Sequence, residues 1–223
     1  MRSELFHNVE AQVEAGSFAK QNSKMLKVRL AGGPGSFYAV QGSMVAYQGA
    51  VDFAYEGAGG VNKFLKKAFT GEGMALMKVS GSGDVFLARD ADHIFVLELE
   101  NESVTVNGRN VLAFESSLSW DIKRVEGASM MTGGVFNTTF TGTGALAITV
   151  FGTPVVLNVD QPTFADIQSA VCWSTSLQTG VRRTATASAL IGRGSGEAYQ
   201  LAFSGQGFVV VQASEGHVVS QVR

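Results

Sequence analysis

Three histidines, one cysteine and a scatter of carboxylates are what this chain offers for metal, nucleophilic or acid–base chemistry. His7, His93 and His217 lie far apart, and none has a second histidine within four residues. The HxH, HxxxH and HExxH spacings that bring two imidazoles to one metal are therefore absent. A double-stranded β-helix oxygenase holds iron with two histidines and a carboxylate. His93 follows Asp90 and Asp92 but has no acid two residues later, where that motif needs one. A solvated loop whose acids cap its backbone accounts for His93 better. Cys172 stands between Val171 and Trp173 with no basic or histidine neighbour to lower its pKa, so it reads as a small buried apolar residue. Catalytic, metal and cofactor-binding residues are each expected to be none.

Gly192-Arg193-Gly194-Ser195-Gly196 has the composition of a phosphate loop. Such a loop must lead into a helix N-terminus, and a Walker loop needs a following Lys-Ser/Thr. Here the glycines lead into alternating strand residues, which is turn chemistry. Glu98-Leu99-Glu100-Asn101-Glu102 puts three acids on one strand face and reads as a solvated edge that discourages aggregation. No carboxylate pair is selected for acid–base work.

The basic residues group as Lys63 with Lys66 and Lys67, Lys123-Arg124, and Arg182-Arg183. The last two groups begin nine residues after Phe114 and Trp173, where an earlier copy of the same pattern has Glu56. A repeated basic ridge would contact RNA or another anionic ligand, and these seven residues are the candidates for it. Ordinary solvated strand ends are the competing account. The charge balance favours them: 17 Lys+Arg stand against 19 Asp+Glu, a net charge of −2, without the basic excess of a nucleic-acid binder.

The elements that must position these residues come from a pattern repeated three times. Tyr47, Phe114 and Trp173 each follow a small residue (Ala46, Ala113, Cys172) and, before it, an aliphatic (Val45, Leu112, Val171). Apolar residues recur at even offsets: Val51, Phe53 and Tyr55, then Leu118, Trp120 and Ile122, then Leu177 and Val181 with Thr179 between them. Period-2 alternation of this kind marks half-buried strands. Each copy goes on to a glycine pair read as a hairpin turn: Gly71 and Gly73, Gly142 and Gly144, Gly194 and Gly196. Apolar residues then run in phase to Gly81, Gly152 and Gly205, the last one step late, which predicts a β-bulge near Glu197. Ile94–Leu99 and Ser103–Val106 predict an extra hairpin arm, and residues 61–69 predict one short amphipathic helix.

At 223 residues, with 45% apolar residues, 27 glycines and 3 prolines, the chain suits many short strands around a substantial core. One cysteine excludes an intramolecular disulfide and suits a reducing compartment. Residues 1–14 lack the apolar core of a signal peptide. Residues 127–159 carry no charge, but glycines, a proline and threonines break them up, so no membrane span is expected. The expected location is cytoplasmic.

Leu65 to Gly83, with Lys63-Phe64-Leu65-Lys66-Lys67, Phe69-Thr70-Gly71-Glu72-Gly73 and Ser80-Gly81-Ser82-Gly83 after the aromatic strand, resembles the mitochondrial-biogenesis family (altered inheritance of mitochondria). The resemblance extends over roughly residues 20 to 215. It implies a fold like the tryptophan RNA-binding attenuator protein, a β-sandwich module that is a variant of the double-stranded β-helix, here occurring three times. It implies no enzyme activity. Mitochondrial members are associated with inner-membrane organisation. The attenuator protein's RNA contacts and tryptophan site do not map onto this chain residue by residue, so RNA and tryptophan binding stay at the level of fold likeness.

The expected architecture is one all-β domain over 1–223, with three β-sandwich-like modules at about 44–90, 111–160 and 170–212 in pseudo-threefold symmetry. The expected function is that of a non-catalytic binding or assembly protein acting through its surfaces, on a protein partner or by self-association. The alternatives are an RNA or other anionic-ligand binding protein, and a small-molecule-binding or metal-dependent enzyme with its site in a barrel mouth.

Overall fold

Alternation decides what forms. In β3 (Ser36–Val40) Phe37 and Ala39 are fully buried while Ser36, Tyr38 and Val40 are less so, as a strand with one core face requires. The computed structural model describes residues 17–33, 35–55, 74–124, 136–183 and 199–214. Among them, strands and one 3-10 turn (Gly108–Asn110) make up the regular structure. The first third holds β1 (Phe18–Asn22), β2 (Met25–Arg29), β3, β4 (Met44–Tyr55) and β5 (Leu76–Leu87). The middle holds β6 (His93–Asn107), β7 (Val111–Glu115), β8 (Ser119–Arg124) and β9 (Phe136–Val150). The last third holds β10 (Val155–Val159), β11 (Thr163–Asp166), β12 (Ala170–Ser174), β13 (Gln178–Arg183), β14 (Tyr199–Ser204) and β15 (Gly207–Val211).

All strand pairs are antiparallel. A 12-stranded sheet runs β1-β2-β5-β3-β7-β9-β6-β12-β15-β10, with β4 on β5 and β8 on β9. A separate 3-stranded sheet runs β11-β14-β13.

The registers put the three sequence copies in step. Tyr47 pairs Val85, Phe114 pairs Leu146 and Trp173 pairs Val209. Six residues further on, Phe53 pairs Val79, Trp120 pairs Phe140 and Thr179 pairs Phe203. These partners flank a glycine pair symmetrically: Gly81 and Gly83, Gly142 and Gly144, Gly205 and Gly207.

This corrects the reading of Gly142 and Gly144 as a hairpin turn. They lie inside β9, which pairs β6 from Asn137 to Val150. Gly81 and Gly83 lie likewise inside β5. Their φ values of +110, +150, +128 and +153, in the order Gly81, Gly83, Gly142, Gly144, bend a strand that continues on the far side. Alternation resumes after a bend as it does after a turn, so period alone cannot separate the two. At Gly83 the backbones approach so closely that a Cβ would stand 2.0 Å from the Gln48 carbonyl oxygen.

The expected arm at 94–106 is also one strand: β6 runs through, with a register shift between Glu100 and Glu102 and Asn101 at φ +58. The Gly71/Gly73 and Gly194/Gly196 pairs, the 61–69 helix and the bulge near Glu197 lie outside the described residues.

Three apolar clusters fill the interior among the described residues, one holding Phe37 and Val85, one Phe114 and Phe140, and one Trp173 and Phe203. Edge-on ring pairs recur: Phe114–Phe140 at 4.8 Å matches Trp173–Phe203 at 5.3 Å, and Tyr47–Phe53 at 5.3 Å matches Phe114–Trp120 at 5.9 Å between centroids.

Candidate functional site

The three aromatic strands share a sequence type and a register, yet their burial differs sharply. Leu112, Ala113 and Phe114 on β7 and Val171, Cys172 and Trp173 on β12 are at most 2% exposed. On β4, Val45 is 53% and Tyr47 49% exposed, and every residue from Met44 to Ala50 faces solvent. The cause is strand pairing. β7 lies between β9 and β3, and β12 between β15 and β6, whereas β4 pairs β5 alone among the described residues. Between Met44 and Val51 there is no charge and no proline. Charges, prolines and short length are the usual means of blunting an open edge. This edge has the first two of them nowhere along that stretch.

A second exposed aromatic stands on β11. Phe164 is 43% exposed, and the Arg182 guanidinium lies over its ring, 5.1 Å from the centroid.

Of the sequence-predicted contacts, Lys123 and Arg124 end β8 opposite Asn137 and Phe136, and Arg182 and Arg183 end β13 opposite Gln200 and Tyr199. β8 pairs β9 and β13 pairs β14, so no pairing joins the two basic ends. Lys63, Lys66 and Lys67 lie outside the described residues.

The reactive side chains are in structural service. Burial pushes the Cys172 thiol up to about 12. Glu115 accepts hydrogen bonds from Ser17 Oγ at 2.5 Å and from the Ala145 amide at 3.2 Å, tying β7 to the strand that follows the Gly144 bend. Burial, then the nearby Glu115, raises the pKa of Glu98. Arg89, its pKa lowered chiefly by burial, donates to the Val111 carbonyl at 3.1 Å, to Thr149 Oγ1 at 2.6 Å and to the Arg109 carbonyl. Beside it, Asn110 Nδ2 donates to the Thr149 carbonyl at 2.7 Å and to Gln212 Oε1 at 3.3 Å. Gln212 Nε2 donates to the Gln168 carbonyl at 3.2 Å, so that Gln212 links Asn110, beside the middle copy, to the last. Sequence reasoning passed over this polar seam because Asn, Arg and Gln carry no signature of burial in their spacing. His93 opens β6 opposite Val150 and is half-buried, in a strand where a loop was expected. Among the described residues no three His, Cys, Asp or Glu side chains gather as a metal site. Among them, too, no helix is long and apolar enough to cross a membrane.

Fold and surface together define a class: an all-β protein with a recurrent strand-pairing scheme, whose most distinctive chemistry is a bare apolar strand. The chain matches the family model described as Mitochondrial biogenesis AIM24 over residues 17–214, and it belongs to that family. Protein SPYM3_0169 from Streptococcus pyogenes has a similar structure, with a TM-score of 0.69 and 24% identity over 88% of this chain and 92% of that one. At that identity the likeness speaks for the fold alone. No curated protein matches the chain.

Proposed function

We propose that the protein is a non-catalytic binding or assembly module that acts through exposed strand surfaces, and that it does so in the cytoplasm as a single domain of three β-sandwich-like modules. One observation carries the reading: β4 exposes from Met44 to Ala50 the residue types that its counterparts β7 and β12 bury. Exposed apolar patches of this kind mark interaction sites in soluble proteins, and an open strand edge supplies backbone donors and acceptors for a partner strand. Paired baits test it. The wild-type chain and a Val45→Lys/Tyr47→Lys variant are used for gentle affinity capture from the native host. The reading expects chains, of this protein or another, held by the wild type and lost from the variant; identical captures from both baits overturn it.

A second reading has its own support in the Arg182–Phe164 stack and in the basic ends of β8 and β13. An arginine over an exposed ring is a stacking platform suited to a single-stranded RNA base. Random RNA bound at low salt, and weakened by reversing charge at Lys123, Arg124, Arg182 and Arg183, supports it; absence of a shift at micromolar protein removes it.

A further inference from the structure

We infer that Asn107-Gly108 is a modification site gated by the fold. With the middle and last copies closed on each other, the Asn107 amide is held intact. Once they open, the pair deamidates, and the product cannot close them again. The site lies inside the chain and stands apart from the surface reading above.

Asn-Gly occurs once in the sequence. Its usual place is the tip of a two-residue hairpin, where both residues take positive φ. Here Asn107 ends β6 instead and caps the 3-10 turn Gly108–Asn110, with φ −62 and ψ 125. It is only 4% exposed, which is rare company for a pair that turns normally leave in solvent. Nδ2 donates to the Ile167 and Ala170 carbonyls, both at 3.1 Å, and Oδ1 accepts from the Arg109 amide at 3.3 Å. Ala170 opens β12 and Ile167 lies just before it, so one amide fastens the end of β6 to the start of β12. The strand pairing itself does not ask for an amide. Val40 stands at this place in the first copy, opposite Leu76 as Asn107 stands opposite Asn137.

The chemistry consumes only water. The Gly108 nitrogen attacks Cγ of Asn107, a bond forms between them, and the Cγ–Nδ2 bond breaks. Nδ2 leaves as ammonia, carrying the proton that the Gly108 nitrogen gives up. Water then opens the succinimide ring to aspartate or isoaspartate. Glycine eases the attack, because no Cβ shields its nitrogen and its backbone turns freely. In the closed junction the step is blocked. Forming the ring draws Nδ2 off both carbonyls and leaves two buried acceptors unmet, while burial withholds the water that ring opening needs. The way back is blocked as well. A carboxylate at this position has no N–H to give and faces the Ile167 and Ala170 carbonyl oxygens out of water. Deamidation therefore leaves a one-way mark on a chain whose junction has opened.

Peptide mapping of the full chain held at pH 8 tests the gate, through the mass gained at Asn107 when NH is exchanged for O. The inference expects modification in urea, slowed there by Gly108→Ala. In native buffer the rate should be at least about tenfold lower, since it must wait for the junction to open. Equal rates in urea and in native buffer overturn the gate. Asn107→Asp tests the one-way step. Its urea midpoint should fall below the wild type's at pH 7, and the gap should narrow as the pH drops to about 4 and the carboxyl regains a proton to donate. A midpoint equal to the wild type's at pH 7 means that this amide does not fasten the copies, and the inference fails. Should Asn107→Asp not fold, urea-treated wild type is returned to buffer instead. Deamidated chains should then be missing from the native fraction on gel filtration, and finding them there overturns the inference.

Discussion

Tyr47, Phe114 and Trp173 are aromatics in one register, the first exposed and the other two buried, and substitution should separate them. Phe114 is fully buried between Tyr38 and Phe140, so Phe114→Ala removes a packed ring and should lower unfolding free energy by about 3–5 kcal/mol. Tyr47→Ala should cost the isolated chain less than about 0.5 kcal/mol, the usual range for a surface change. Urea unfolding of both variants at a concentration that keeps the chain monomeric reads the contrast. Equal losses would mean that Tyr47 is covered within its own chain. Cys172 offers a second check at this scale. With its thiol held protonated by burial, it should react with a thiol reagent at pH 8 only after denaturant is added, and prompt labelling of the native chain would contradict its placement beside Val171 and Trp173.

The strands show what the sequence could and could not reveal. The even offsets from Tyr47, Phe114 and Trp173 were legible, because inward side chains must fall two residues apart, and the pairs Phe53–Val79, Trp120–Phe140 and Thr179–Phe203 stand at those steps. Gly142 and Gly144 were read as a turn where the structure has a bend inside β9, since a bend and a turn both interrupt and then restore alternation. Burial of β4 was not legible at all. Val45-Ala46-Tyr47 reads like Leu112-Ala113-Phe114, and what separates them is a second neighbouring strand that, among the described residues, one has and the other lacks. The polar seam of Arg89, Asn110 and Gln212 was hidden for a related reason, as its members are up to 102 residues apart for the Asn110–Gln212 bond. Bending glycines give this scale its own prediction. Gly83→Ala must hold φ near +150 with its Cβ against the Gln48 carbonyl, a strain of about 1–3 kcal/mol before any clash is relieved. Gly180→Ala, on β13 with open space around it, should be close to neutral. Matched thermal melts decide this, and equal midpoints would count against β5 as a continuous bent strand.

Across the described residues, twelve strands join into one sheet while three form a second. Met44 to Val51 carries no charge or proline, so that stretch lacks two of the usual means of blunting an open edge. Reactive groups, by contrast, are dispersed or engaged in holding strands together, so surface pairing is the property on which the account depends.

Native mass spectrometry of the full chain, recovered from its native host under gentle conditions, tests that property most directly. The account predicts masses above 23.5 kDa for the wild type, from a second copy or another chain, and collapse to 23.5 kDa for Val45→Lys/Tyr47→Lys with an unchanged urea midpoint. A wild-type chain recovered only at 23.5 kDa, or a lysine variant that holds the same chains as its parent, would contradict it.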